Sequence, residues 1–227
     1  MPNDLSKPEM VFDAEDHIYL HHLQDRTKDR GNYLDLLIQS VKERPESAHC
    51  RMLLAREYLV KQDYETARKE YLACLEYKEI REPKNKLILL EVLGRLGELH
   101  YWCSEEKGKG IYYFLQFMKE DPTYREPYFC LADIYMHEGL YQLAIATINM
   151  GLQNSVRHYS WVERADFWIA KGEELLLHAY HALGDYPNAA KYGKIAYEHN
   201  PNKKTIASEY IHALEACYFQ NVDDKKA

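Results

Sequence analysis

Glycine and proline are scarce in this sequence, with 10 and 8 residues among 227. Folds built from many short strands use both residues at their numerous turns, so this scarcity disfavours an all-β chain. Hydrophobic residues make up 46% of the chain and charged residues 29%, which is typical of a folded protein rather than a disordered one. The composition therefore favours a domain built from long helices.

Segments that would direct the chain to a membrane are also lacking. No apolar run approaches the roughly 18 residues of a membrane span. Residues 1–15 carry charges and have no apolar centre of the kind found in signal peptides. The five cysteines form no Cys-x-x-Cys pair and fall in apolar stretches, so we expect buried free thiols, Cys103 among them, in a reducing compartment. These absences predict a cytoplasmic protein without a membrane span.

Signatures of catalysis and of nucleic-acid binding are missing as well. The net charge is −7 and no long block of a single sign occurs, so no nucleic-acid partner is expected. The sequence contains no phosphate-binding loop, no dinucleotide fingerprint and no Ser/His/Asp signature. We therefore predict no catalytic residue and no cofactor.

Tyrosine, in contrast, is abundant, and its spacing indicates an internal repeat. Four tyrosines occupy one column of the repeat and four small residues a second column nine positions later: Tyr58, Tyr101, Tyr135 and Tyr180, then Ala67, Gly110, Ala144 and Ala189. The second and third copies are separated by the tetratricopeptide (TPR) period of about 34 residues, and the other two intervals are longer by about ten. A small residue in the second column lets the two helices of a pair cross closely.

Glycine and proline occur where such helix pairs turn and end. Gly139 and Gly184 fall between the two helices of a pair, where a positive φ is common. Pro122 and Pro201 follow second helices, which proline ends. The columns together predict an all-α fold, a TPR-like right-handed α-solenoid of about four helix pairs with a C-terminal capping helix. The pairs are expected at 47–78, 85–119, 125–153 and 170–199, after a helix at 30–43 and before the cap at 203–220.

Three segments are expected along the chain. Residues 1–28 form an irregular N-terminal segment with a short strand at 18–20, residues 29–220 form the TPR-like repeat domain, and residues 221–227 form a disordered tail. Within the repeat domain, residues 157–168 are aromatic and poorly periodic. The capping helix is expected to bury one face, which carries Ile206, Tyr210, Leu214 and Cys217.

Several longer motifs follow one another in a fixed order. They are His22-Leu23-x-Asp25, Arg30-Gly31-x-Tyr33-Leu34, Leu54-x-Arg56-Glu57-Tyr58, Arg125-Glu126-Pro127 and Tyr159-x-Trp161-x-Glu163. This ordered set, over residues 18–202, resembles the region that follows the catalytic domain in TPR-containing family 2 glycosyltransferases. The resemblance implies a glycosyltransferase context, either as the accessory part of a longer enzyme or as a chain that has separated from one.

The resemblance does not imply activity in this chain. A family 2 catalytic domain is a nucleotide-sugar-binding α/β unit with a metal-binding Asp-x-Asp, and none of that framework precedes His21. The triplet Asp13-Ala14-Glu15 resembles a metal-binding acidic motif only superficially, because it lacks the surrounding strands and helices. Residual nucleotide-sugar binding near Asp13, Asp16 and His22 is the lowest-ranked hypothesis, because a nucleotide needs a preformed pocket.

One histidine pair invites a metal hypothesis. His178 and His181 stand three residues apart on a predicted helix, a spacing that can place two imidazoles on one ion. No third ligand is evident nearby in the sequence. A surface or groove pair is therefore the preferred interpretation, and no metal site is predicted.

The concave face of the solenoid, which the first helices line, is the candidate binding site. By register its residues are Met52, Arg56, Arg95, Trp102, Phe129, Asp133, Met136, Lys171, Glu174, His178 and His181. Some of them are expected to pack against the next helix instead. Asp133 and His178 stand where carboxylate-binding TPR domains carry donors, so acidic-tailed peptides are not the expected ligand.

The leading hypothesis is a non-catalytic TPR-type protein-interaction or scaffold domain. It would be the accessory C-terminal region or the partner of a family 2 glycosyltransferase, and it would bind that catalytic domain or another protein. The alternative is a free-standing TPR adaptor that binds protein partners through its concave groove, unrelated to glycosylation. The sequence leaves open whether the chain forms part of an enzyme.

Overall fold

The structure, a computed structural model, describes residues 9–14, 18–23 and 32–224. Within these ranges the chain forms a two-stranded hairpin followed by ten α-helices. The elements are β1 Glu9–Ala14, β2 Ile18–Leu23, α1 Tyr33–Glu43, α2 Ala48–Val60, α3 Tyr64–Leu75, α4 Lys86–Trp102, α5 Lys107–Glu120, α6 Glu126–His137, α7 Tyr141–Leu152, α8 Lys171–Ala182, α9 Tyr186–His199 and α10 Lys204–Asp224. Among the described helices, none combines the length and the hydrophobicity that a bilayer crossing demands.

The hairpin replaces part of the segment that was expected to be irregular. Strand β1 pairs antiparallel with β2, with Glu9 opposite Leu23 and Ala14 opposite Ile18. The expected strand at 18–20 therefore lies within a longer one. Aromatic and β-branched residues are frequent in both strands, and such residues favour extended backbone.

Eight of the helices form the four predicted pairs, α2/α3, α4/α5, α6/α7 and α8/α9. Each second helix contacts the first helix of the next pair, and successive first helices contact one another from α2 to α10. This pattern of neighbours is that of a stacked helical repeat, in which first helices line one face. The predicted all-α, TPR-like solenoid of four pairs with a capping helix is confirmed.

The repeat columns hold the pairs together as predicted. Ala67, Ala144 and Ala189 are completely buried where second helices cross first helices. At the second position of the column, a Cβ added to Gly110 would lie 2.8 Å from the carbonyl oxygen of Gly97. The α4/α5 crossing is therefore so close that no side chain fits between the two backbones.

The turns between helices follow from their local chemistry. Gly139 and Gly184 adopt φ values of 75° and 73°, which glycine tolerates without strain, and each ends a first helix. The side chain of Asp63 accepts a hydrogen bond from the backbone N–H of Thr66 and so caps α3. Asp185 caps α9 in the same way.

The capping helix α10 buries a slightly different face from the one predicted. Ile206 and Ala213 are fully buried against the last pair, whereas Leu214 is 46% exposed. The buried face runs through positions 206, 210, 213 and 217, and residue 214 lies about 100° further round the helix. The helix also continues to Asp224, so the tail predicted as disordered from 221 is helical up to that residue.

The cysteine prediction is correct in part. Cys50 and Cys74 are buried, and Cys130 and Cys217 are partly buried. Cys103, which was expected in the core, is exposed. It directly follows the last residue of α4 and therefore lies beyond the buried face of that helix.

The aromatic stretch between the third and fourth pairs is a strap, which we define as residues 154–170. It ends in a short 3₁₀ helix, Ala165–Trp168. Val162, in its middle, is only 8% exposed and belongs to the core cluster that contains Leu90 and Leu93 of α4. His158 stacks on Tyr124 with ring centroids 4.0 Å apart. The strap therefore runs back from the third pair to the second.

Candidate functional site on the concave face

The structure places the predicted groove residues at three different depths. Arg56, Trp102 and Asp133 are exposed, and Met52, Phe129 and Glu174 are buried. The other five are partly buried: Arg95, Met136, Lys171, His178 and His181. Met52 belongs to the core cluster that contains Ala48 and Ala55.

Four of the predicted residues meet in one recess between α4, α6, the strap and the start of α8. Trp102, Phe129, Asp133 and Lys171 line a cavity of about 180 Å³. We call it the indole pocket; its full lining is Glu98, Trp102, Phe129, Cys130, Asp133, Arg164, Phe167 and Lys171. The strap residues Arg164 and Phe167 were missed from the sequence, because an aperiodic segment gives no register from which to place them.

The exposed indole of Trp102 is held in place by its neighbours. Its ring makes T-shaped contacts with Tyr101, at a centroid distance of 4.7 Å, and with His137, at 5.2 Å. Tyr101 is itself anchored, because its hydroxyl donates a hydrogen bond to Glu138 at 2.5 Å. Trp102 nevertheless keeps 49% of its surface exposed. It is therefore an aromatic surface with a fixed orientation.

The charges of the indole pocket are unevenly paired. Arg164 lies 3.6 Å from Glu98 and 3.4 Å from Asp166, and Lys171 lies 2.9 Å from Glu174. Asp133 forms no ion pair or hydrogen bond within the part of the chain that the structure describes. The pocket therefore contains two cations that are already paired and one carboxylate, Asp133, with which no described residue pairs.

A second recess adjoins the first on the other side of Lys171. We call it the lysine pocket; it has a volume of about 200 Å³ and is lined by Asp166, Ile169, Lys171, Glu174, Asn200 and Lys203. Lys203 and Lys171 both contact Glu174, at 2.8 and 2.9 Å. Burial opposes the ionisation of Glu174, but hydrogen bonds from His178, Lys203 and Lys171 outweigh it and hold its pKa well below the usual range.

The two predicted histidines face the capping helix rather than a shared ion. The Nδ1 atom of His178 lies 2.5 Å from Glu209, and the Nε2 atom of His181 lies 2.7 Å from His212. Burial disfavours charge on His178, but the carboxylates of Glu174 and Glu209 prevail and raise its pKa to about 9. Over the described ranges, no three or more His, Cys, Asp or Glu side chains are arranged to hold a metal ion.

The two predicted arginines at the N-terminal end of the groove are already paired. Arg95 lies 3.2 Å from Glu91 and 2.9 Å from Glu98. Arg56 approaches the same Glu91 at 3.9 Å. The remaining predicted residue, Met136, packs against the core of the third pair. Arg95 also lines a smaller cavity of about 40 Å³, together with Glu98 and Arg164.

Residues of the Arg125-Glu126-Pro127 motif fasten the strap to α6. The guanidinium of Arg125 lies 3.8 Å from the centroid of Trp168 and donates a hydrogen bond to the carbonyl oxygen of Asn154 at 3.0 Å. The Oε1 atom of Glu126 accepts a hydrogen bond from the backbone N–H of Arg164 at 2.5 Å. Its Oε2 atom is buried without a partner, and burial raises the pKa of this carboxyl to about 7.

The acidic N-terminal residues form no described site. Asp13 lies in β1 and His22 in β2, where Met10 is opposite His22 and Asp13 is opposite Tyr19. The other residues of the nucleotide-sugar hypothesis, Glu15 and Asp16, lie outside the described residues. The hypothesis of residual donor binding there gains no support from the structure.

The helix pairs, the buried small-residue column and the first-helix groove define the class of the fold, a TPR-type helical repeat. Solved structures agree with this class. The chain is similar to a TPR protein from Thermus thermophilus, with 18% identity and a TM-score of 0.53 over 80% of this chain and 88% of that one. It is also similar to the MamA protein, with 16% identity and a TM-score of 0.57 over 76% of this chain and 83% of that one.

A third similar structure is Pseudomonas aeruginosa pilF, with 15% identity and a TM-score of 0.57 over 78% of this chain and 70% of that one. At these identities the likenesses show the fold alone. No protein-family model and no curated protein matches the sequence.

Proposed function

We propose that this protein is a non-catalytic interaction scaffold that binds an extended segment of a protein partner on its concave face. The observation that carries the proposal is the pair of adjoining recesses, the indole pocket and the lysine pocket, which share Lys171 as a common wall. We refer to the two recesses together as the depression on the concave face, and α4, α6 and α8 contribute residues to its walls. Binding sites are concave, with aromatic and apolar walls and a few polar groups that fix the ligand, and this depression has those features.

The proposed partner is the catalytic domain of a family 2 glycosyltransferase. Support comes from the ordered motifs in the sequence. The motif at 125–127 contacts the strap at Arg164 and Phe167, and the same strap contains the motif at 159–163. The two motifs thus belong to one structural unit rather than to unrelated turns. The protein would act in the cytoplasm, beside or attached to the enzyme.

Co-purification tests both parts of the proposal. The chain would be co-expressed with the nucleotide-sugar transferase that is encoded next to its gene or in frame with it. We expect the transferase to co-purify with the wild-type chain at low salt. Trp102→Ala should reduce the yield of transferase, whereas Tyr112→Ala should not, because Tyr112 is similarly exposed but lies on the second helix α5.

The possible results separate the hypotheses. Loss of capture in Trp102→Ala alone supports binding on the concave face. Equal capture by Trp102→Ala and wild type would contradict use of this face. Failure of the transferase to co-purify, combined with Trp102-dependent binding of an unrelated purified protein, would favour the free-standing adaptor over the glycosyltransferase scaffold.

A further inference from the structure

We propose that the indole pocket accepts one basic side chain, lysine or arginine, of the bound partner segment. The inference rests on the proposed function, because it assumes that a protein segment lies along the concave face. It adds the chemical class of the residue that the segment must present between α4 and α6. Three features of the pocket lead to it: an aromatic surface, an unpaired carboxylate and a cavity of suitable size.

The aromatic surface is Trp102. Indole is the side chain that attracts cations most strongly over its face, because its π-electrons make that face negative. Contacts with Tyr101 and His137 already fix the ring, so little rotamer entropy is lost when a guest binds. A guanidinium or ammonium group placed over the exposed part of the ring would gain this attraction without reorganising the pocket.

The unpaired charge is Asp133. Arg164 and Lys171 also line the pocket, but they already pair with Glu98 and Glu174, which Arg95 and Lys203 share. An anionic guest would have to compete with these carboxylates for its cations. An apolar guest would remove water from Asp133 without supplying a hydrogen bond or a charge in its place, which costs free energy. A cationic guest avoids both penalties, since it pairs with a carboxylate that is unpaired within the described residues.

The cavity has room for a long side chain. Its volume of about 180 Å³ corresponds to several non-hydrogen atoms, on the scale of about 30 Å³ for each molecule of liquid water. Phe167 and Cys130 form apolar parts of the wall. Lysine and arginine lay their methylene groups along such surfaces and keep the charge at the tip. The pocket therefore suits the stem as well as the charged end.

Peptide titration followed by NMR tests this inference. The probes are acetyl-Gly-Gly-Arg-Gly-Gly-amide and two peptides with citrulline or glutamate in place of arginine. The signal to follow is the indole N–H of Trp102, identified by its loss in Trp102→Phe. We expect a saturable shift of this signal with the arginine peptide, binding of the citrulline peptide that is weaker by several fold, and no shift with the glutamate peptide.

A charge variant sharpens the test. Asp133→Asn is expected to lower the affinity for the arginine peptide roughly two- to fivefold, which is the range expected for loss of an exposed ion pair. Asp35→Asn serves as the matched control, because Asp35 is also exposed but lies on α1. It should leave the affinity unchanged. Since Asp133 is exposed and unpaired, its variant is expected to keep the far-ultraviolet circular dichroism and the thermal midpoint of the wild type.

Each contrary result overturns the inference. These results are equal binding of the citrulline peptide, tighter binding of the glutamate peptide, an unchanged affinity in Asp133→Asn, or no shift at millimolar arginine peptide. Any of them would leave the proposed scaffold function standing, provided that Trp102→Ala still lowers transferase capture. Unchanged capture in Trp102→Ala would instead contradict the scaffold function itself.

Discussion

Single residues decide how closely the helices of this stack approach, and Gly110 is the case in which an added side chain would meet backbone atoms. A Cβ at this position would meet the carbonyl oxygen of Gly97 and the backbone nitrogen of Tyr101, at 2.8 and 2.9 Å. These atoms belong to the backbone, so they cannot move aside as the end of a flexible side chain could. Gly108, in the same helix α5, has no atom within 4 Å of the equivalent point.

The two glycines of α5 are therefore expected to respond to alanine in opposite directions. Gly110→Ala should lower the free energy of unfolding by about 1–3 kcal/mol, because it overpacks the α4/α5 crossing. Gly108→Ala should raise that free energy by up to about 1 kcal/mol, because alanine favours a helix and meets no obstacle. Urea denaturation followed by circular dichroism measures both values. Equal effects of the two substitutions would contradict the packing described for this column.

Glu126 is the residue whose ionisation should make the stability of the strap depend on pH. Burial raises its pKa from 4.5 to about 7, so the folded chain binds a proton that the unfolded chain releases between these values. The folded state therefore loses stability as the pH rises from about 4.5 through about 7. The loss is complete above pH 7, where the carboxylate is charged and remains buried.

Glu126→Gln should remove this dependence and keep the hydrogen bond, because the amide oxygen can still accept from the Arg164 N–H. The unfolding free energy of the variant minus that of the wild type should therefore increase by roughly 1–3 kcal/mol from pH 5 to pH 8. Urea midpoints of both proteins at the two pH values provide the measurement. A difference between variant and wild type that stays constant with pH would show that Glu126 does not titrate in this range.

At the scale of the helices, the capping helix α10 is attached by both apolar and charged contacts. Ile206 and Ala213 bury its inner face, and Glu209 pairs with His178 of α8. The pKa of His178 in the folded chain is about 9, above its value of about 6.5 in an unfolded chain. The stabilisation is therefore complete below about pH 6.5 and is lost as the pH rises through about 9.

His178→Gln should consequently destabilise the protein at pH 6 and have little effect at pH 10. We expect a loss of roughly 1–3 kcal/mol at the lower pH. Thermal and urea midpoints of wild type and variant at both pH values give the comparison. His49→Gln is the control, because His49 is exposed on α2 and should show no such difference. A loss of equal size at pH 6 and pH 10 would exclude the proposed charge pairing.

The helices were predictable from the sequence, and the strap was not. Tyrosine, alanine and glycine recur at fixed offsets such as Tyr135 to Ala144, and this periodicity locates each helix pair and its crossing. The strap has no period, so its sequence does not reveal that Val162 reaches α4. For the same reason the groove prediction included Trp102 and Asp133, which lie on periodic helices, but missed Arg164.

Within the helices, too, periodicity does not predict every buried residue, and α10 is the example. Position 214 differs from the buried position 213 by a single step around α10, and an apolar residue occupies both. The sequence analysis placed Leu214 on the buried face, whereas the structure buries Ala213 completely and leaves Leu214 46% exposed. The choice depends on the distance between two helices, which the residues of one helix do not specify.

For the molecule as a whole, the strap changes how the stack should unfold. In a simple helical repeat each pair contacts only its neighbours, so distant pairs can unfold separately. Here Val162 follows the third pair and yet packs in the core of the second, and Arg164 pairs with Glu98 of α4. Glu126 and Arg125, at the start of α6, hold the same strap by hydrogen bonds. The strap thus connects the second pair to α6 of the third. We expect the wild-type chain to unfold in a single cooperative transition.

Val162→Ala should weaken this coupling, because it removes buried methyl groups from the strap–α4 contact. The expected loss in unfolding free energy is about 1–3 kcal/mol. Tryptophan fluorescence, to which Trp161 and Trp168 of the strap contribute, should change at lower urea than the helical circular dichroism, whereas the two signals should coincide in the wild type. Val156→Ala is the matched control, because Val156 lies on the same strap and is 54% exposed, so its effect should stay within about 0.5 kcal/mol. Coincident transitions in Val162→Ala, or equal effects of the two valine substitutions, would mean that the strap lies on the surface of the stack without coupling its pairs.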